Sequence, residues 1–193
     1  LRAMLTDAAR PVQLVFAGKA HPADRAGQDL IRKLFLLTQG EFRGKLVFLE
    51  DYDIEMGRML VQGCDVWLNT PRRPQEASGT SGQKSPINAG VNLSILDGWW
   101  AEAAAGGNGW TIGDGTVHAD VETQDARDAA ALYDIIETEL IPRFFDRDAG
   151  GLPRAWIETM KASIESVVPA FSAHRMVRDY AQDVYLPAAR RRG

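Results

Sequence analysis

Apolar residues in the first third of the chain gather in short unbroken runs. Val12-Gln13-Leu14-Val15-Phe16 closes at Gly18, Leu46-Val47-Phe48-Leu49 stands between Lys45 and Glu50, and Asp65-Val66-Trp67-Leu68-Asn69 follows Gly63. Runs of this kind predict strands covered on both faces, as in a parallel sheet. Between them the period lengthens. Ala26, Leu30, Ile31, Leu34, Phe35 and Leu37 recur at helical spacing, with Pro22 suited to a first turn and Gly40 to a stop. Ile54, Met56, Met59, Leu60 and Val61 predict a second helix, capped by Asp53 and ended by Gly63. Residues 2–9 read as a helical piece. Strand and helix in alternation predict an α/β fold, a doubly wound Rossmann-like parallel sheet.

The pattern then shifts. Residues 84–92 predict a helix that tolerates Pro86 in its first turn, and Leu93-Ser94-Ile95-Leu96 a short strand. A brief helix from Trp99 and Trp100 to Gly106-Gly107 follows the Asp97-Gly98 turn. Trp110 to Gly113 predicts an edge strand, and residues 113–120 a loop. From Thr123 onward the spacing is helical. Asp125 to Phe145 carries an apolar stripe, with Pro142 as a kink or an end. Residues 146–153 read as a linker. Two further stripes follow, Trp156-Ile157-Met160-Ile164-Val167 and Met176-Val177-Tyr180-Val184-Tyr185, the second on a helix over Ser172 to Leu186. The expected organisation is a Rossmann-like core over 1–122 and a helical extension over 123–193.

Composition narrows the function classes. The chain has 193 residues, 45% hydrophobic, and a formal net charge of -4, so no broad basic field recruits nucleic acid. Arg190-Arg191-Arg192 reads as a solvated basic tail. Cys64 is the single cysteine, which excludes an intrachain disulfide and points to a reducing cytoplasm. No stretch has the length and apolarity of a membrane span. His21, His118 and His174 lack ligand spacing, so no metal site is expected.

The stretch that carries chemistry is Glu76-Ala77-Ser78-Gly79-Thr80-Ser81-Gly82-Gln83-Lys84. Its glycines permit a tight turn that exposes several backbone N–H groups, and a helix start just beyond adds partial positive charge. Thr80 and Ser81 add hydroxyls, Lys84 an ammonium, and Glu76 a carboxylate suited to a polyhydroxyl ligand. Together they make a seat for a phosphate beside a reactive amine. The pattern is not a nucleotide P-loop, because Gln83 separates Gly82 from Lys84. Taken alone it also reads as a Gly/Ser-rich surface loop.

With Asn88 and Leu96-Asp97-Gly98 downstream, the stretch resembles the pyridoxal-phosphate segment of the α-glucan (glycogen) phosphorylases. Phe16-Ala17-Gly18-Lys19-Ala20, Phe48-Leu49-Glu50-Asp51-Tyr52 and Asp65 to Pro74 extend the resemblance in order along nearly the whole chain. The resemblance implies the C-terminal lobe of a two-lobe GT-B fold, with a missing N-terminal lobe. It implies pyridoxal 5'-phosphate as cofactor, and phosphorolysis of an α-1,4-glucan by inorganic phosphate to glucose 1-phosphate. Lys84 resembles the Schiff-base lysine. Thr80, Ser81 and Gly82 resemble the residues that hold the cofactor phosphate, and Tyr52 the tyrosine packed near the cofactor. Glu76, Ser78 and Gly79 resemble the groups that bind glucosyl hydroxyls. Asn88 implies either support for Lys84 or a helix cap. The family tends toward dimers, and a lobe without its partner is expected to expose apolar helices, to self-associate and to be inactive alone.

The chain departs from the family pattern in four places. Gln83 replaces a methionine, Pro86 intrudes after the lysine, the glycine after the asparagine is displaced to Gly90, and Asp53 stands where relatives carry an arginine toward the cofactor phosphate. Arg72 or Arg73 is the candidate replacement for that charge. Two other readings fit the same residues: a nucleotide-sugar glycosyltransferase lobe, and a non-catalytic carbohydrate-binding or regulatory module.

Overall fold

The computed structural model describes residues 1–75 and 79–191. Among them the chain divides into two compact units, Leu1–Leu60 and Val61–Gly193.

The first unit begins with α1 (Arg2–Thr6) and pairs β1 (Leu14–Ala17) in parallel with β2 (Leu46–Leu49), Leu14 opposite Leu46. Between them lies α2 (Arg25–Gln39), started by Asp24, whose carboxylate accepts from the Gly27 N–H at 2.9 Å. Helix α3 (Ile54–Gly63) follows β2 and crosses into the second unit. The Asp53 carboxylate accepts from the Met56 N–H at 2.8 Å, the capping role its position predicts.

The second unit is built on a parallel ladder in the order β3 (Val66–Asn69), β4 (Val91–Ile95), β5 (Gly109–Ile112). Strand β4 is buried at every residue. Asn92 and Ser94 pair with Gly109 and Thr111, so these four share one face of the ladder. The helices on that face are α4 (Thr80–Lys84) and α5 (Gly98–Ala103). Trp99, Trp100 and Ala103 of α5 form a buried cluster with Val167. The Trp100 indole also donates to the Thr111 hydroxyl at 3.1 Å. On the opposite face Trp110 stacks on Trp156 of α8 (Arg154–Ala170), and its N–H donates to Glu139 at 2.9 Å. Strand β4 is covered on both faces, with Asn92 and Ser94 buried on one and Val91, Leu93 and Ile95 on the other, whereas Leu68 of the edge strand β3 is exposed.

The remaining helices explain two prolines. Helix α6 (Val121–Ile135) widens into a π segment, Ile136–Leu140, before α7 (Ile141–Phe145). Likewise α9 (Ala173–Tyr180) passes through a π segment, Ala181–Tyr185, into α10 (Leu186–Arg190). In each case a proline, Pro142 or Pro187, occupies the second position after the wide turn. A proline lacks the donor for the usual i→i−4 bond, and a π turn absorbs the interruption without ending the helix.

The segment expected as a helix over 84–92 differs. Helix α4 starts at Thr80, a 3-10 turn covers Pro86–Asn88, and β4 begins at Val91. Gly79 takes the left-handed conformation (φ 62°, ψ 27°) and starts the helix inside the motif; Ala89 (φ 63°) ends the run.

Candidate functional site

The site is assembled on the segment between β3 and β4. Glu76 and Ser78 lie outside the described residues, so its geometry is that of Gly79 to Asn88. Lys84 falls four residues after Thr80 and three after Ser81 in α4, so it stands between them on one side of the helix. Thr80 and Lys84 are exposed and Ser81 is half-buried. The first-turn N–H groups of Thr80 and Ser81 have no acceptor within the helix. The predicted hydroxyls and amine are therefore gathered on one accessible surface. The helix start lies before Lys84 rather than after it, so the lysine sits in the last turn.

The other face of this helical run is buried and leaves no freedom of position. Gly82 and Pro86 are both buried. A methyl group on Gly82 would stand 2.8 Å from Asn92 Oδ1 and 2.9 Å from Trp99 Cζ2. One on Gly79 would meet the Asn69 amide at 3.3 Å and the Trp99 ring at 3.4 Å. Only glycines let the backbone lie this close to the strand and the indole.

Pro86 proves compatible with the motif for a reason found in β4. Having no N–H, it cannot donate to the carbonyl of Gly82, four residues earlier. The Asn92 amide takes the vacant place, donating to Gly82 O at 3.0 Å from a fully buried position. A buried carbonyl left without a donor would cost about 1–3 kcal/mol. Asn92 and Trp99 were not singled out from sequence as site residues. The signal available for Asn92 was a polar residue inside an otherwise apolar strand. Asn88 Nδ2 donates to Lys84 O at 3.2 Å, which assigns it the capping role. Gly90 lies against Ser85, whose Oγ fills the space an added methyl would need.

Arg72 and Arg73 do not offer free charge. Arg72 binds the Asp125 carboxylate with Nε at 3.0 Å and Nη2 at 2.6 Å, and this hydrogen bonding pushes the guanidinium pKa up. Arg73 is buried, with Nη2 3.3 Å from Asp128. Both carboxylates stand on α6. Near them, hydrogen bonding to Thr116 holds the Asp114 carboxyl below the ordinary aspartate range, with the Arg73 charge adding to the effect.

Tyr52 belongs to the first unit, where its hydroxyl stands against Gly57 of α3 and 38% of the residue is exposed. Burial pushes the Cys64 thiol pKa up, so it is not activated as a nucleophile. No cluster of His, Cys, Asp and Glu suited to a metal occurs among the described residues, and no helix among them is long and apolar enough to cross a membrane.

No family model matches the chain. Individual proteins do. It is 46% identical over 190 residues to a protein named glycogen phosphorylase from Mycobacterium bovis, which covers 98% of this chain and 22% of that protein. A maltodextrin phosphorylase from Thermococcus litoralis is 46% identical over 97% of this chain and 22% of its own length. A glycogen phosphorylase from Aquifex aeolicus is 46% identical over 96% of this chain and 26% of its own. The chain thus spans about a fifth to a quarter of the relatives it matches. Similarity at this level along nearly every residue, on a parallel α/β frame, places the chain in the α-glucan (glycogen and maltodextrin) phosphorylase family.

Proposed function

We propose that this chain is the C-terminal, pyridoxal-phosphate-bearing part of a cytoplasmic α-1,4-glucan phosphorylase, which releases glucose 1-phosphate from glucan and inorganic phosphate. The observation that carries the reading is the accessible face of α4, where Thr80, Ser81 and Lys84 are presented together while Gly82 is pinned beneath.

The residues present fit the cofactor. Lys84 is exposed and at the end of its helix, so its amine is open to covalent attachment. The hydroxyls of Thr80 and Ser81 hold the cofactor phosphate, and Gly82, expected beside them, serves from beneath: its N–H donates to Gly79 O and its carbonyl accepts from Asn92. When bound, pyridoxal phosphate supplies a phosphate group for proton exchange with substrate phosphate. Glu76, Ser78 and Gly79 orient the glucosyl unit through its hydroxyls. With Arg72 and Arg73 held by α6, further neutralising charge comes from the remainder of the protein.

That remainder also forms the other wall of the cleft. Apolar residues of α9 and the π segment after it, among them Val177, Tyr180 and Tyr185, are at least half exposed here and dock against it. The chain alone therefore does not turn over glucan, and the working enzyme is a homo-oligomer of the full polypeptide.

The test uses the full-length protein with pyridoxal phosphate, glucan and inorganic phosphate, measuring glucose 1-phosphate. Lys84→Ala abolishes its release. Undiminished release by that variant would refute the reading.

A further inference from the structure

Helix α4 is five residues long, well short of the ~12–15 residues at which a helix holds by itself in water. The place where Lys84 stands is therefore set by tertiary contacts. Two side-chain amides donate to the backbone of this helix: Asn92 to Gly82 O at 3.0 Å and Asn88 to Lys84 O at 3.2 Å. The second is local and exposed, and moves with the segment it caps. The first is buried and comes from the central strand, so it ties the helix to the ladder.

The carbonyl that Asn92 meets is the one left open by Pro86. The chain stays helical through Ser85 (φ -59°, ψ -46°), so the nitrogen of residue 86 stands where a bond to Gly82 O would be made. Proline has no hydrogen to donate there, and its ring crowds the same carbonyl. Asn92 supplies the donor from the side, at a cost. Its Oδ1 is buried and has no hydrogen-bond partner, whereas Val91, Leu93 and Ile95 around it are apolar. The unpaired oxygen offsets the gain from the donated bond, so stability alone does not account for an amide in this strand. What the amide brings is a fixed point on the carbonyl two residues before Lys84. Displacement of a reacting group by about 1 Å can cost about a hundredfold in rate.

We propose that Asn92 is the positioning residue of the cofactor lysine. By taking over the bond that Pro86 cannot make, it fixes the last turn of α4 against β4, and with it the point from which the Lys84 side chain leaves the helix. Asn92 acts through the Gly82 carbonyl, without touching cofactor or substrate. The inference rests on Lys84 being the cofactor-bearing lysine.

The experiment uses the full-length protein with Asn92→Ala, Pro86→Ala and the two combined. Ile112→Ala is the control, because Ile112 is fully buried on the ladder face turned away from α4. Each is measured for melting temperature without cofactor, for pyridoxal phosphate affinity by absorbance titration, and for kcat and KM toward phosphate. Asn92→Ala weakens cofactor affinity or kcat by about tenfold at temperatures where the apoprotein is folded. Pro86→Ala alone leaves both unchanged, since Gly82 O keeps its Asn92 donor. In the combined variant the N–H of residue 86 donates to Gly82 O, and most of the loss is recovered. Ile112→Ala lowers the melting temperature without weakening cofactor affinity. If Asn92→Ala does not fold, Asn92→Thr, whose hydroxyl is too short to reach Gly82 O, is read in the same way with and without Pro86→Ala. Unchanged affinity and kcat in the folded Asn92 variant overturn the proposal. So does a loss that Pro86→Ala fails to reduce, or an equal loss in Ile112→Ala. If the unmodified protein forms no adduct at Lys84, it is the underlying reading that fails.

Discussion

Gly82→Ala tests how tightly the site is built against β4. In an open helix the change would stabilise the chain by about 1 kcal/mol, because alanine is the better helix former. Here the new methyl meets Asn92 Oδ1 at 2.8 Å and Trp99 Cζ2 at 2.9 Å, both inside van der Waals contact. Neither neighbour has room to retreat. Asn92 is fully buried in the central strand and bonded to Gly82 O at 3.0 Å. Trp99 is wedged edge-on between Trp100 and Phe171, at centroid distances of 5.3 and 5.2 Å. Overpacking of this kind costs about 1–3 kcal/mol. Loss of the Asn92 bond adds about 1 kcal/mol. Offset by the propensity gain, the net destabilisation is about 1–3 kcal/mol. Urea unfolding followed by tryptophan fluorescence reads this as a lower midpoint at unchanged slope. A midpoint equal to or above that of the unmodified chain would refute the reasoning, since it would mean that the helix sits off the strand.

Three further outcomes follow from other parts of the molecule. Asp53→Ala removes the cap of α3 and lowers stability by about 1 kcal/mol, whereas Asp53→Asn keeps most of it; paired urea titrations distinguish the two. Asp120 and Asp148 have carboxyls held below the ordinary aspartate value, by hydrogen bonds led by those from Thr123 and Arg154 respectively. A depressed folded pKa gives stability that is present above the unfolded value of about 3.9 and is lost as pH falls through the folded value. Melting temperature therefore drops below about pH 4, and drops less steeply when both are changed to Asn. Val177→Asp with Val184→Asp reduces self-association of the isolated chain in sedimentation velocity, because 60% and 51% of these apolar residues are exposed.

The strands of the first half were legible as unbroken apolar runs at Leu46 and Val66, but their full burial was not: of these eight residues only Leu46 is buried, and Leu68, like Val15 of β1, is exposed. The cap at Asp53 was legible for a local reason too. Strand β4 was harder to read. Asn92 and Ser94 make it look half-polar, yet both are buried, and Asn92 bonds a carbonyl ten positions away. The helix start at Thr80 depends on Gly79 fitting against Asn69 and Trp99, a contact no spacing rule contains. The partners of Arg72 and Arg73 stand 53 and 55 residues further on, so their engagement by α6 was beyond any local pattern. The gathering of Thr80, Ser81 and Lys84 needed only the helix period, once the helix was placed.

The most direct measurement is chemical. The full-length protein, equilibrated with pyridoxal phosphate, is treated with borohydride, digested and analysed by mass spectrometry. The account predicts one pyridoxyl-lysine, on the peptide bearing Lys84, and none after Lys84→Ala. A stable adduct on another lysine, with residue 84 unmodified, would contradict it.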